Sequence, residues 1–168
     1  MRSRSSLGSL AAMLVIVPFL ASGCRGEDVD IAQALQVTDV TTGWFDAGIV
    51  EDGKNKLVPS ISFRLQNAHD STVSSVQMIA KFSRVGETEE WGSGPFVRAV
   101  GPDGLEPGRA TDPIVLRSNL GYTGEEPRGQ MLRNSNFVDA RIELFAKHHA
   151  DNWVKLGEYQ IERQLLTR

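Results

Sequence analysis

Cysteine is almost absent from this sequence of 168 residues: Cys24 stands alone. No disulfide can form within the chain, and no paired-thiol metal site can be built from it. A long hydrophobic run is missing too. Charge-free sequence extends from Ser5 to Gly23, but serines, glycines and Pro18 dilute it. Its apolar core, Leu10 to Leu20, falls short of the about 20 residues that a transmembrane helix needs. Positive charge is not in excess, with 18 Lys and Arg against 21 Asp and Glu, so the basic footprint of a nucleic-acid-binding protein is excluded. The common catalytic motifs are absent as well. Ser93 in "EEWGSGP" lacks the glycine two positions before it that a G-x-S-x-G elbow requires, and the chain has neither a Walker loop nor H-E-x-x-H.

What is present begins with a leader of three parts. Met1-Arg2-Ser3-Arg4 forms a short positive region, Leu10 to Leu20 (LAAMLVIVPFL) an apolar core, and Ala21-Ser22-Gly23 a run of small residues. That order is the layout of a secretory signal peptide. "Leu20-Ala21-Ser22-Gly23-Cys24" resembles the lipobox of bacterial lipoproteins, although Leu is commoner than Ala three places before the cysteine. The resemblance implies that the leader, residues 1–23, is cleaved and that Cys24 receives a diacylglycerol. A thiolate is the side-chain nucleophile suited to forming that thioether. One acyl chain anchors a protein reversibly, whereas two or three make the anchorage effectively permanent. The implied partner is thus a lipid bilayer, reached through acyl chains on Cys24. Arg25 stands where an Asp signals inner-membrane retention in enterobacterial lipoproteins. The resemblance therefore implies the periplasmic face of an outer membrane where the host has two membranes.

The leader carries Arg2 and Arg4 and no acid, so its removal takes the formal net charge from −3 to −5. Electrostatic adhesion to anionic lipid is disfavoured by that balance. Residues 24–33, from Cys24 through the polar stretch RGEDVDIAQ, read as a stalk of up to about 30 Å when extended. Residues 34–168 read as one domain, large enough to hold a core without disulfides.

The body of that domain reads as strands separated by turn signals. Ala34 to Thr41 alternates, with Leu35, Val37, Trp44 and Phe45 as core candidates. Leu57 to Asn67 sets Ile61, Phe63 and Leu65 on one face, and Val73 to Arg84 does the same with Val76, Met78, Ala80 and Phe82. Joined by "NAHDS", these two segments read as a hairpin. A strand over Trp91 to Val100 is interrupted by Gly92, Gly94 and Pro95, and a short one follows at Ile114 to Arg117. Phe137 to Lys147 and Trp153 to Gln164 flank "HHADN" as a second hairpin. The expected fold class is all-β: an immunoglobulin-like sandwich of about seven antiparallel strands. "VPSISFRLQN…VSSVQMIAKF…LEPG" resembles small bacterial sandwich modules of the FxLYD and plant late-embryogenesis-abundant type. The resemblance implies a binding or spacer domain and supplies no chemistry.

The residues offer no catalytic constellation, and neither a cofactor nor a metal is expected. His148 and His149 are adjacent in a turn, where an extended backbone directs their side chains apart; His69 lies in another turn beside Asp70. Glu89-Glu90 and Glu125-Glu126 lack the spacing of a calcium loop. Trp44, Trp91, Trp153 and Tyr122 offer flat faces suited to stacking on sugars, although core packing is the commoner use of such residues in strands. The connector "NLGYTGEEPRGQMLRNSNF", residues 119–137, is longer than sandwich connections usually are. Met131 and Leu132 in it read as a cap on the core. Tyr122, Arg128 and Arg133, with Trp44 and Phe45 of "GWFDAG", are the candidate partner-binding residues, since Tyr, Trp and Arg are the usual interface anchors. The expected function is that of a non-catalytic, membrane-anchored envelope lipoprotein that binds or positions a protein partner. The alternative is a carrier or sensor of a small ligand or glycan, with an envelope hydrolase third.

Overall fold

The computed structural model describes residues 29–166, so the leader and Cys24 lie outside the described residues. Two sheets face each other across one core. In the first, β1 (Leu35–Ile49) pairs antiparallel with β2 (Asn55–Asn67). The far edge of β2 is shared by β6 (Ile114–Arg117) and β7 (Tyr122–Gly124). In the second, β3 (Val76–Arg84) lies between β8 (Ala140–His148) and the short β4 (Gly92–Ser93) and β5 (Val97–Val100), and β9 (Val154–Gln160) forms the other edge. β10 (Leu165–Leu166) crosses to the first sheet and runs parallel to β1. Among the described residues are two single α-helical turns, α1 (Ile31–Ala34) and α2 (Arg128–Met131).

Period-2 alternation builds the core. Leu57, Ile61, Phe63 and Leu65 of β2 face Val76, Met78, Ala80 and Phe82 of β3 and Ile142, Leu144 and Ala146 of β8, all fully buried. The sandwich is all-β as the alternation and turn signals predict, with ten strands in place of about seven. The additional strands are short. Pro95, which has no N–H to give a ladder, separates β4 from β5 on the same edge of β3. The long connector contributes β7, and the last segment divides into β9 and β10.

Two expectations are corrected. The segments joined by "NAHDS" are not a hairpin: β2 and β3 belong to different sheets, and the turn between them arches over the core. Two strands with one apolar face each can bury those faces side by side or across from one another. Both edges of β2 are taken, by β1 and by β6 and β7, and buried Asn67 fixes the arch: its side-chain amide donates to the carbonyls of Ser71 (2.9 Å) and Leu105 (2.7 Å) while its oxygen accepts from His69 N–H (2.9 Å). β2 instead forms its hairpin with β1, through the Asp52-Gly53 turn, where both residues have positive φ.

The expected stalk over 24–33 is also too long. From Asp30 the chain is folded: the Asp30 carboxylate accepts from Ala32 N–H (3.0 Å), and Ile31 and Ala34, three apart, are buried. α1 packs against β1, β8 and β9. It lies at the same end as the start of β1, the β2–β3 arch and the β8–β9 turn, here termed the entry end. Tyr122, α2 and the start of β8 gather at the opposite end.

Candidate functional site

At the end opposite α1, four aromatic side chains meet. Trp44 of β1 is fully buried, with its ring centroid 4.6 Å from Phe137, 5.6 Å from Tyr122 and 6.5 Å from Trp91. Tyr122 completes the group at 5.0 Å from Trp91 and 4.7 Å from Phe137. Tilted and edge-on pairs of this kind place ring edges against ring faces and add about 0.5–1.5 kcal/mol beyond burial. Tyr122 reaches the cluster because β7 pairs with Asn55–Leu57 and because Gly121 admits the β2 backbone. A Cβ at position 121 would stand 2.1 Å from the Leu57 carbonyl oxygen. The Tyr122 hydroxyl donates to the Val138 carbonyl (3.2 Å), and burial raises its pKa.

The connector closes over this cluster. α2 begins after Pro127, whose carbonyl accepts from Gln130 and Met131 N–H, and Met131 and Leu132 are buried as the cap expected of them. Two arginines fasten the segment. Arg128 forms an ion pair with Asp46 (2.5 Å). This contact holds the Asp46 carboxyl below its usual range against the opposing effect of burial, with a lesser contribution from Gly48 N–H. Arg163, after β9, pairs with Asp139, donates to the carbonyls of Leu132 (3.2 Å) and Phe137 (2.8 Å), and lies over the Phe137 ring.

Within the connector, against its aromatic residues Tyr122 and Phe137, is an open cleft of about 410 Å³. Tyr122, Met131 and Phe137 give it an apolar floor, and Glu126, Asn134 and Asn136 a polar rim. The rim is preset: Asn134 donates to the Glu126 carboxylate (3.3 Å) and accepts from Asn136 N–H (2.9 Å). Such an arrangement can hold a ligand by stacking and hydrogen bonding.

The predicted site residues are divided by the fold. Trp44 and Tyr122 join the cluster, and Arg128 lies beside them, engaged with Asp46. Arg133 is exposed just beyond α2. Phe45 points to the other face of β1, where Arg117 stacks over it at 3.6 Å. Sequence reasoning missed Asp46, Phe137 and Arg163 as parts of this end. The Asp-Ala-Gly turn after Phe45 was the available signal for Asp46, whose carboxylate accepts from Gly48 N–H (2.8 Å). Arg163 had no local signal.

The histidines also differ from expectation. A positive φ at His149 turns the backbone so that the two imidazoles lie together, centroids 4.1 Å apart, instead of diverging. His69 is at the same end, held by Ser71 (2.7 Å). Among the described residues no group of three His, Cys, Asp or Glu side chains is placed to hold a metal ion. No protein-family model matches the chain, and no curated protein matches it significantly.

Proposed function

We propose that this protein is a lipid-anchored, non-catalytic binding module of the bacterial cell envelope, whose cleft opposite the entry end receives a protruding segment of a partner protein. The observation that carries the binding role is the long connector. It is fastened by the pairing of β7 with β2 at its start, by Arg128 in its middle and by Arg163 at its end, over an aromatic floor. Anchored rims over aromatic floors suit recognition, because hot spots concentrate in Tyr, Trp and Arg set in a fixed frame. The anchor rests on the lipobox resemblance around Cys24.

A second reading is favoured by one specific feature. An aromatic floor bordered by carboxamides and a carboxylate also suits a saccharide, whose apolar ring face packs on it while its hydroxyls bond to the rim. Photo-crosslinking separates the two. A photoreactive residue in place of exposed Thr123, on the rim, is expected to give a discrete protein adduct in intact cells. The same adduct is expected to disappear with Cys24→Ser, which removes the protein from the membrane. A glycan adduct, together with a melting-temperature rise on adding envelope glycan fragments, supports the second reading. Absence of both adducts in cells that carry the acylated protein rejects the cleft as a binding site.

A further inference from the structure

The outer face of the second sheet, on the side toward the entry end, carries an aromatic surface that the core does not use. Trp153, at the start of β9, is 38% exposed and Phe96, before β5, is 57% exposed; their rings meet edge-on with centroids 6.2 Å apart. Strand register explains their company. Val97 is opposite inward-facing Met78, so Phe96 projects outward beside Ile79, which is itself opposite Phe145. Lys147 lies over Trp153 at 5.2 Å and Lys81 over Phe145 at 5.4 Å. The acids of this face are largely engaged: Glu143 and Glu158 both pair with Lys155. Arg98 is exposed next to the patch, and Asp151 is exposed in the turn before Trp153.

We infer that Trp153 and Phe96 seat the domain on the bilayer, a conclusion that rests on the lipid anchorage proposed above. The length of chain leading to the domain supports it. Because α1 belongs to the folded body, only five steps separate Cys24 from Val29, which span at most about 17 Å when extended. The domain therefore cannot stand far from the headgroups, and the end that faces them is the one bearing the exposed tryptophan. Indole rings favour the headgroup level, and a phenyl ring beside one buries apolar surface at the headgroup and acyl boundary. Lys147 can reach the phosphates while its methylenes stay on the ring. Seating needs little affinity of its own, since a short tether holds the surface at an effective concentration in the millimolar range. The surface recognised is the interface itself, not anionic charge, in keeping with the net acidity of the chain.

The test uses the full chain expressed with its leader, purified in detergent and reconstituted into phosphatidylcholine vesicles with or without bromine on the acyl chains. The Trp153 emission is the difference between wild type and Trp153→Phe, and the mass of the Cys24 peptide reports acylation. Bromine is expected to reduce the Trp153 emission by more than half and to leave the remaining emission, from Trp44 and Trp91, unchanged. Phe96→Ser is expected to weaken that quenching while leaving the melting temperature as it was. An acylated Cys24 with no bromine quenching of Trp153 overturns the seating and leaves the anchor standing. Protection of Trp153 that grows with protein density, without bromine quenching, assigns the patch to a second copy and likewise overturns it. A Cys24 peptide without lipid overturns the anchor, and the seating with it.

Discussion

His148 shows how a single side chain responds to a position that its sequence neighbours do not reveal. Its side chain is only 12% exposed, and burial first, then the adjacent His149, lowers its pKa, with Asp151 opposing at 3.7 Å. A histidine whose folded pKa lies below its unfolded one gives its full stability above the unfolded value of 6.5. That contribution is lost as pH falls, because the unfolded chain binds the proton first. Unfolding free energy measured in urea is expected to decline from pH 7 to pH 5, by less than one proton's worth of slope. His148→Asn is expected to flatten that decline. An unchanged slope in the variant assigns the pH dependence to other groups.

Among the elements, the arch between β2 and β3 has the largest effect on topology, and Asn67 is its fixed point. The side chain is fully buried and makes three hydrogen bonds to backbone groups of Ser71, Leu105 and His69. Asn67→Ala takes the side-chain donor from the Ser71 carbonyl and the acceptor from His69 N–H, whereas the Leu105 carbonyl keeps Val73 N–H (3.1 Å); each partly buried group left unpaired costs at most about 1–3 kcal/mol. The urea midpoint is expected to fall correspondingly at unchanged m-value, since the surface exposed on unfolding stays the same. The alternation in both strands was legible from the sequence, and so was the turn. Their assignment to opposite sheets was not, because an inward-facing apolar row looks the same whether its partner lies beside it or across from it. The connector behaves similarly. Met131 and Leu132 were legible as a cap, whereas β7 depends on the space that Gly121 leaves against Leu57.

At the scale of the whole molecule, one core runs from α1 to the aromatic cluster, so the two ends are expected to unfold together. Phe82, fully buried on β3, lies within that core. Phe82→Ala is expected to cost about 3–5 kcal/mol. Trp44 and Trp91 report on the cleft end and Trp153 on the entry end. Denaturation curves of wild type and Trp153→Phe are therefore expected to coincide, as one cooperative unit requires. Separate transitions would show that the cleft end opens independently, and its connector would then count as a mobile lid.

The sequence by itself determined the fold class, most of the buried strand faces and the capping role of Met131 and Leu132. Each of these follows from alternation, backbone preference or local composition over a few residues. Only the tertiary structure decided that Trp44 and Tyr122 share a cluster while Phe45 leaves it, and that Arg128 and Arg163 fasten the connector. It alone placed the cleft opposite the entry end and Trp153 near it. Those relations join residues as distant as Asp46 and Arg128 or Phe137 and Arg163, brought together by sheet register and by the crossing of the chain between sheets. No periodicity within a strand encodes such pairings, because the apolar pattern specifies which face is buried and not which other segment covers it.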